Sequence, residues 1–175
     1  MRKFTLLIIL AVSCSANAWA ELFPPPGYRF PNEADYSGNW EYFKKQYPIP
    51  YHVHSDFNGD GLMDDAWLLI HENNLDWGVF AIIRKHKAEP SVITLTKSRK
   101  DAYPRKKPQH VGISLVEPGT YVTACGKGHW DCGEGEIAEI TLTKPGIKFF
   151  VFESSSAFYY WSDEDNAFRG IWISD

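Results

Sequence analysis

From Tyr51 onward the chain falls into short runs rich in β-branched and aromatic residues, spaced about ten residues apart. They read YHVHS, AWLLIHE, WGVFAIIRK, SVITLTK, HVGISLV, TYVTAC, EIAEITLT, IKFFVFE, AFYYWS and FRGIWIS. Asn-Asn, Gly-Asp-Gly, Pro-Gly and Asp-Glu-Asp-Asn turn signals separate them. No long helical period interrupts this rhythm, which argues against an α/β fold. The expectation is an all-β protein: one domain of antiparallel sheets arranged as a sandwich, a barrel or a propeller-like set. One short helix is expected over NWEYFKKQY, capped by Ser37 and stopped before Pro48.

Ahead of the strands, residues 21–35 (ELFPPPGYRFPNEAD) hold four prolines and predict an extended leader on the surface rather than a strand of the core. Residues 1–20 read as a Sec signal peptide: Arg2 and Lys3, the apolar run Phe4 to Val12, and Ala18-Trp19-Ala20 before Glu21. That run is too short to span a bilayer, so no transmembrane segment is expected. Cys14 fits a lipoprotein box loosely and lies very close to Met1, so a periplasmic or secreted protein is expected ahead of a lipid-anchored one. The β domain then covers residues 36–175. Loss of the signal leaves 155 of the 175 residues and removes two basic side chains but no acid, taking the formal charge from −4 to −6. A chain of this length buries a core without external help.

The exported part keeps Cys125 and Cys132, in ACGKGHWDCGEGE. In an oxidising compartment a pair separated by a glycine-rich stretch reads as a disulfide closing a tight loop. The other reading is a C-x3-H-x2-C zinc site with His129, which lacks an obvious fourth ligand. Such a loop would display Lys127, His129 and Trp130 at a pre-ordered tip, an aromatic anchor with polar neighbours; alternatively Trp130 folds back onto the sheet.

Residues 97–110, KSRKDAYPRKKPQH, place six cations against Asp101 in an otherwise acidic chain. The run could steer an anionic partner, or simply be a solvated loop. Nucleic acid is not the expected ligand, because only Tyr103 interleaves the charges as a base-stacking surface requires.

Residues 54–70, HSDFNGDGLMDDAWLLI, crowd Asp56, Asn58, Asp60, Asp64 and Asp65 into ten positions and then turn apolar. A hard cation such as Ca2+ takes oxygen ligands that one loop supplies when side chains recur at every second position around a glycine turn. Asp56, Asn58 and Asp60 stand at loop positions 1, 3 and 5, Gly61 at the turn, the Leu62 carbonyl at 7 and Asp64 at 9. An EF-hand would continue to a glutamate at position 12 and enter a helix; here that position is Trp67, inside a strand-like run. The segment resembles the D-x-[DN]-x-D-G-x-x-D loop of FG-GAP and VCBS-type repeats, where a calcium-binding turn joins two strands. The resemblance implies Asp56, Asn58, Asp60 and Asp64 as side-chain ligands and Leu62 as a backbone ligand, with Asp65 outside the set. The competing reading is a metal-free polar turn, in which the carboxylates repel one another. The stretches CGKGHWDCGEGE, FFVFESSSAFYYW and IWISD are similar to those of a group of small exported proteobacterial proteins, a resemblance that brings no activity with it.

His52 and His54 alternate in a strand-like run and share a face; with His71 or His129 they could complete a zinc site. No serine-hydrolase elbow, phosphate loop or dinucleotide fingerprint is present. Glu134, Glu136, Glu139 and Glu153 offer carboxylates for glycoside hydrolysis but no separation by which to judge them. The function expected is therefore binding without catalysis, by a calcium-stapled module facing a protein in the periplasm or exterior, of the kind that inhibits an envelope-targeting enzyme or confers immunity to one. The alternative is a metal-dependent hydrolase of envelope polymers built on His52, His54 and the acidic loop.

Overall fold

A computed structural model describes residues 23–98 and 106–174. The residues read as a signal peptide, with Cys14, and positions 99–105 of the basic run lie outside the described residues. Among the described residues, eleven strands, one short helix and two 3-10 turns form a two-sheet sandwich with a separate hairpin, neither closed into a barrel nor divided into propeller blades.

The first sheet is a meander. Strands β2 (His52–Ser55), β3 (Asp64–His71), β4 (Trp77–Lys85) and β5 (Ala88–Lys97) pair antiparallel in chain order. Strand β1 (Tyr28–Arg29) shares the β3 edge with β2, opposite Ile70 and His71. The proline-rich leader thus contributes a two-residue strand where only surface coil was expected, because the edge of β3 beyond β2 is open to it. The second sheet runs in the order β11 (Ala167–Ser174), β10 (Ser156–Ser162), β9 (Gly146–Val151), β6 (Val111–Val116). Strands β7 (Gly119–Val122) and β8 (Glu139–Leu142) form a separate hairpin.

Alternation dictates which faces meet. Ala66, Leu68 and Ile70 of β3 with Val79, Ala81 and Ile83 of β4 face Val111, Ile113, Ile147 and Phe149 across the sandwich. Trp77 stacks on Phe149 at 5.1 Å between centroids. A smaller cluster, Val116, Ile140, Leu142, Phe158 and Ile173, seats the β7–β8 hairpin on the outer face of the second sheet. Along one side the sheets are tied by a single segment: Leu68 N–H donates to Tyr51 O, and Ile113 N–H to Pro50 O, each at 2.8 Å.

The helix α1 (Gly38–Tyr42) is half the length expected, and Ser37 precedes it without a side-chain cap. Its purpose in the fold is to drive Trp40 into the core, where the indole N–H donates to Val111 O at 2.8 Å.

The leader is held by charge as well as by β1. Arg29 donates to both Asp35 oxygens at 2.7 and 2.6 Å and to Asn74 Oδ1 at 2.8 Å. The Arg29 hydrogen bond, opposed by burial, holds the Asp35 carboxyl below its usual value of 3.8. A carboxyl depressed by folding stabilises above its unfolded pKa and loses that contribution as pH falls through its folded one. Arg29→Ala is therefore expected to cost about 0.5–1 kcal/mol at neutral pH, discounted for the partial exposure of the guanidinium. Urea melts should show that difference vanish in acid; a difference that persists there would remove the ion pair as its cause.

Candidate metal centre

The acidic loop is the tip of the β2–β3 hairpin. Ser55 pairs with Asp64, and residues 56–63 lie between. Phe57 is fully buried and anchors the tip in the core, with its ring 6.2 Å from Phe168. The turn itself needs glycine: Gly59 and Gly61 have φ of +76° and +85°, the left-handed region where a side chain is strained.

Within this frame the carboxylates organise the backbone. Asp56 Oδ1 accepts from Gly59 N–H at 2.7 Å and Asp60 N–H at 3.2 Å, while Oδ2 accepts from Gly61 N–H at 2.9 Å. Asp60 accepts from Leu62 N–H at 2.8 Å and from the Asn58 amide at 3.0 Å. Asp64 is fully buried and bridges two elements, accepting from Phe57 N–H at 3.1 Å and Arg84 N–H at 2.8 Å. Burial raises its carboxyl above the usual range, two backbone hydrogen bonds oppose the rise, and the charges of Asp60 and Asp56 add to it.

The donor types suit a hard cation: three carboxylates, an amide oxygen and the Leu62 carbonyl on one tight turn. Asp56 Oδ2, both Asp60 oxygens and both Asp64 oxygens each accept one N–H and keep a lone pair to offer, whereas Asp56 Oδ1 already accepts two. Among the described residues, however, no group of three or more His, Cys, Asp or Glu side chains converges closely enough to hold a metal ion as the loop stands.

Asp65 faces the other way, and there it gathers residues that the sequence had only half connected. His52 Nε2 lies 2.8 Å and His54 Nδ1 3.0 Å from the same Asp65 oxygen, and Arg84 donates to the second at 2.7 Å. The His52 ring stacks on Trp67 at 3.8 Å. These interactions outweigh the burial that would raise the Asp65 carboxyl and leave it lowered. His71 stands six residues along β3 from Asp65, about 20 Å at strand rise, where its ring meets Tyr28. It does not join His52 and His54. A cleft of about 530 Å³ opens beside this cluster, lined by Phe30, Trp67, Ile82 and Arg84 among others.

Cys125 and Cys132 are joined in a disulfide, S–S 2.11 Å, which removes both sulfurs from any zinc site. The loop that it closes holds Lys127, His129 and Trp130 in different roles. Lys127 Nζ donates to Ile173 O at 2.8 Å, pinning the loop to the end of β11. His129 is exposed, and its backbone N–H donates to Ala124 O. Trp130 is half-buried and donates to Glu136 at 3.1 Å; it lines a second cleft, of about 410 Å³, with Tyr160, Arg169 and Trp172. Glu136 was considered in the sequence only as a possible carboxylate for hydrolysis, and Tyr160, Arg169 and Trp172 were not singled out there. Only the pairing of β10 with β11 brings Tyr160, Arg169 and Trp172 to face this loop.

Comparison of the chain with protein-family models, with curated proteins and with solved structures finds no match. Among the described residues no helix is long and apolar enough to cross a membrane.

Proposed function

We propose that the protein is an exported binding module whose acidic hairpin tip takes up Ca2+, and that it acts by presenting a rigid surface to a protein partner. The observation that carries the reading is the turn at Asp56, where one carboxylate gathers the N–H groups of Gly59, Asp60 and Gly61 and folds the loop around the ligand register. Calcium would draw Asp56, Asp60 and Asp64 inward and offset both the burial that raises the Asp64 carboxyl and the repulsion from Asp60 and Asp56 that adds to it. The acidic tip lies at one hairpin and the disulfide loop at the end of β11, so the metal would be structural and the contact surface elsewhere. An inhibitor of, or immunity protein against, an envelope-targeting enzyme is one form of partner recognition that fits.

The test is a melting curve with and without calcium. For a dissociation constant of ~0.1 mM, calcium at a hundredfold excess adds roughly 2.7 kcal/mol. Asp60→Ala should abolish the increment and leave a folded protein. Identical curves in calcium and in chelator would eliminate the metal centre.

A further inference from the structure

Strand β11 ends the second sheet, and no strand pairs with its far side among the described residues. Its register against β10 is regular from Ala167 to Trp172 and then skips Ile173. Trp172 turns its backbone away from β10, since its carbonyl accepts from Ala124 N–H at 2.9 Å. Residues of an antiparallel strand alternate in the side to which their N–H and C=O point. Gly170 and Phe168 therefore turn theirs the same way, Gly170 into the 410 Å³ cleft beneath the disulfide loop and Phe168 further along the same open edge.

The walls of that cleft are fixed. The disulfide closes one end of the loop, and Glu136 staples its middle by accepting from Gly133 N–H at 2.8 Å and from the Trp130 indole. Arg169 is already matched, pairing with Asp165 and Glu164. What the cleft presents is a backbone ladder, open at Gly170 where no side chain intervenes, between Trp130 and the half-exposed Trp172. The open edge of the first sheet is blunted, because β5 carries Glu89, Pro90 and Lys97.

We infer that this cleft takes an extended polypeptide segment of the partner, which adds to β11 as a further strand through the N–H and C=O groups of Gly170 and Phe168 and seats a side chain between Trp130 and Trp172. The inference rests on the binding-module reading and specifies its partner chemistry: an exposed, strand-forming peptide with an apolar side chain flanked by neutral backbone. A peptide complements alternating donors and acceptors at strand spacing. A saccharide would need several free polar side chains, and Glu136 and Arg169 of the lining are already engaged.

The experiment is an array of randomised linear peptides probed with the full exported chain in calcium. Peptides that bind should lose about tenfold or more in affinity when N-methylated at alternate positions and little at the intervening ones. Exchange of the Gly170 amide should slow on binding. Trp172→Ala should weaken the same peptides about tenfold while leaving the melting temperature within a few degrees, as exposed positions do. Binding indifferent to N-methylation would overturn strand addition. So would an array without binders, whether or not chitin-type oligosaccharides quench the tryptophan fluorescence; quenching would assign the cleft to sugars. Calcium melts of the same sample separate the two claims: peptides bound without a calcium increment remove the metal centre and keep the cleft, and the reverse keeps the metal centre alone.

Discussion

Asp64→Ala lowers stability by about 3 kcal/mol in the presence of a chelator, while Asp60→Ala under the same conditions changes it by no more than about 0.5 kcal/mol. Both residues belong to the calcium register, yet they differ in what they do without metal. Asp64 is fully buried and is the acceptor for two backbone N–H groups, Phe57 at the hairpin tip and Arg84 on β4. Removing it strands both donors, each worth about 1–3 kcal/mol when buried without a partner. Asp60 is solvent-facing and its hydrogen bonds stay within the loop. Urea denaturation of the two variants in chelator makes the comparison. Equal stabilities would show that Asp64 does not hold the hairpin to β4. Calcium added afterwards should stabilise the wild type and neither variant.

Trp40→Ala is expected to cost about 4 kcal/mol, or around ten degrees of melting temperature. The indole is fully buried in the main core, and its N–H is paired with Val111 O. The substitution opens a large cavity and leaves a buried carbonyl without its donor. Trp40→Phe keeps most of the apolar volume and should cost only the hydrogen bond and a smaller void, about 1–3 kcal/mol. Thermal melts of both variants check this. Comparable losses would mean that the hydrogen bond, and not packing, is what Trp40 contributes.

Where the sequence could be read correctly, the information was local. The limits of β4 match the run WGVFAIIRK because alternation and turn residues at both ends are properties of that segment alone. The turn of the acidic loop was legible for the same reason, since its glycines and its Asx-type bonds all lie within a few residues. The helix was overextended because the pattern after Tyr42 is compatible with both helix and the turn that the core imposes. Strands β7 and β8 are shorter than their apolar runs. Thr123 to Ala138 instead fold onto themselves around the Thr123 hydroxyl, which reaches the carbonyls of Ile137 and Ala138. The bridge from Asp64 to Arg84, the meeting of His52 and His54 at Asp65, and the cleft on β11 all depend on which strand lies beside which. That is topology, and no single segment encodes it.

The two sheets differ in how soon the growing chain can complete them. Strands β2 to β5 occupy the continuous stretch 52–97, so the meander can pair as soon as that stretch is free to fold. Its inner face cannot be covered so early, because Ile147 and Phe149 are made about fifty residues later and β6 has no partner until β9 exists. During that interval Leu68, Ile70, Val79 and Ile83 form an uncovered apolar plane. A nascent chain held there is a substrate for holdase chaperones, and a fragment ending at Lys97 should aggregate instead of folding.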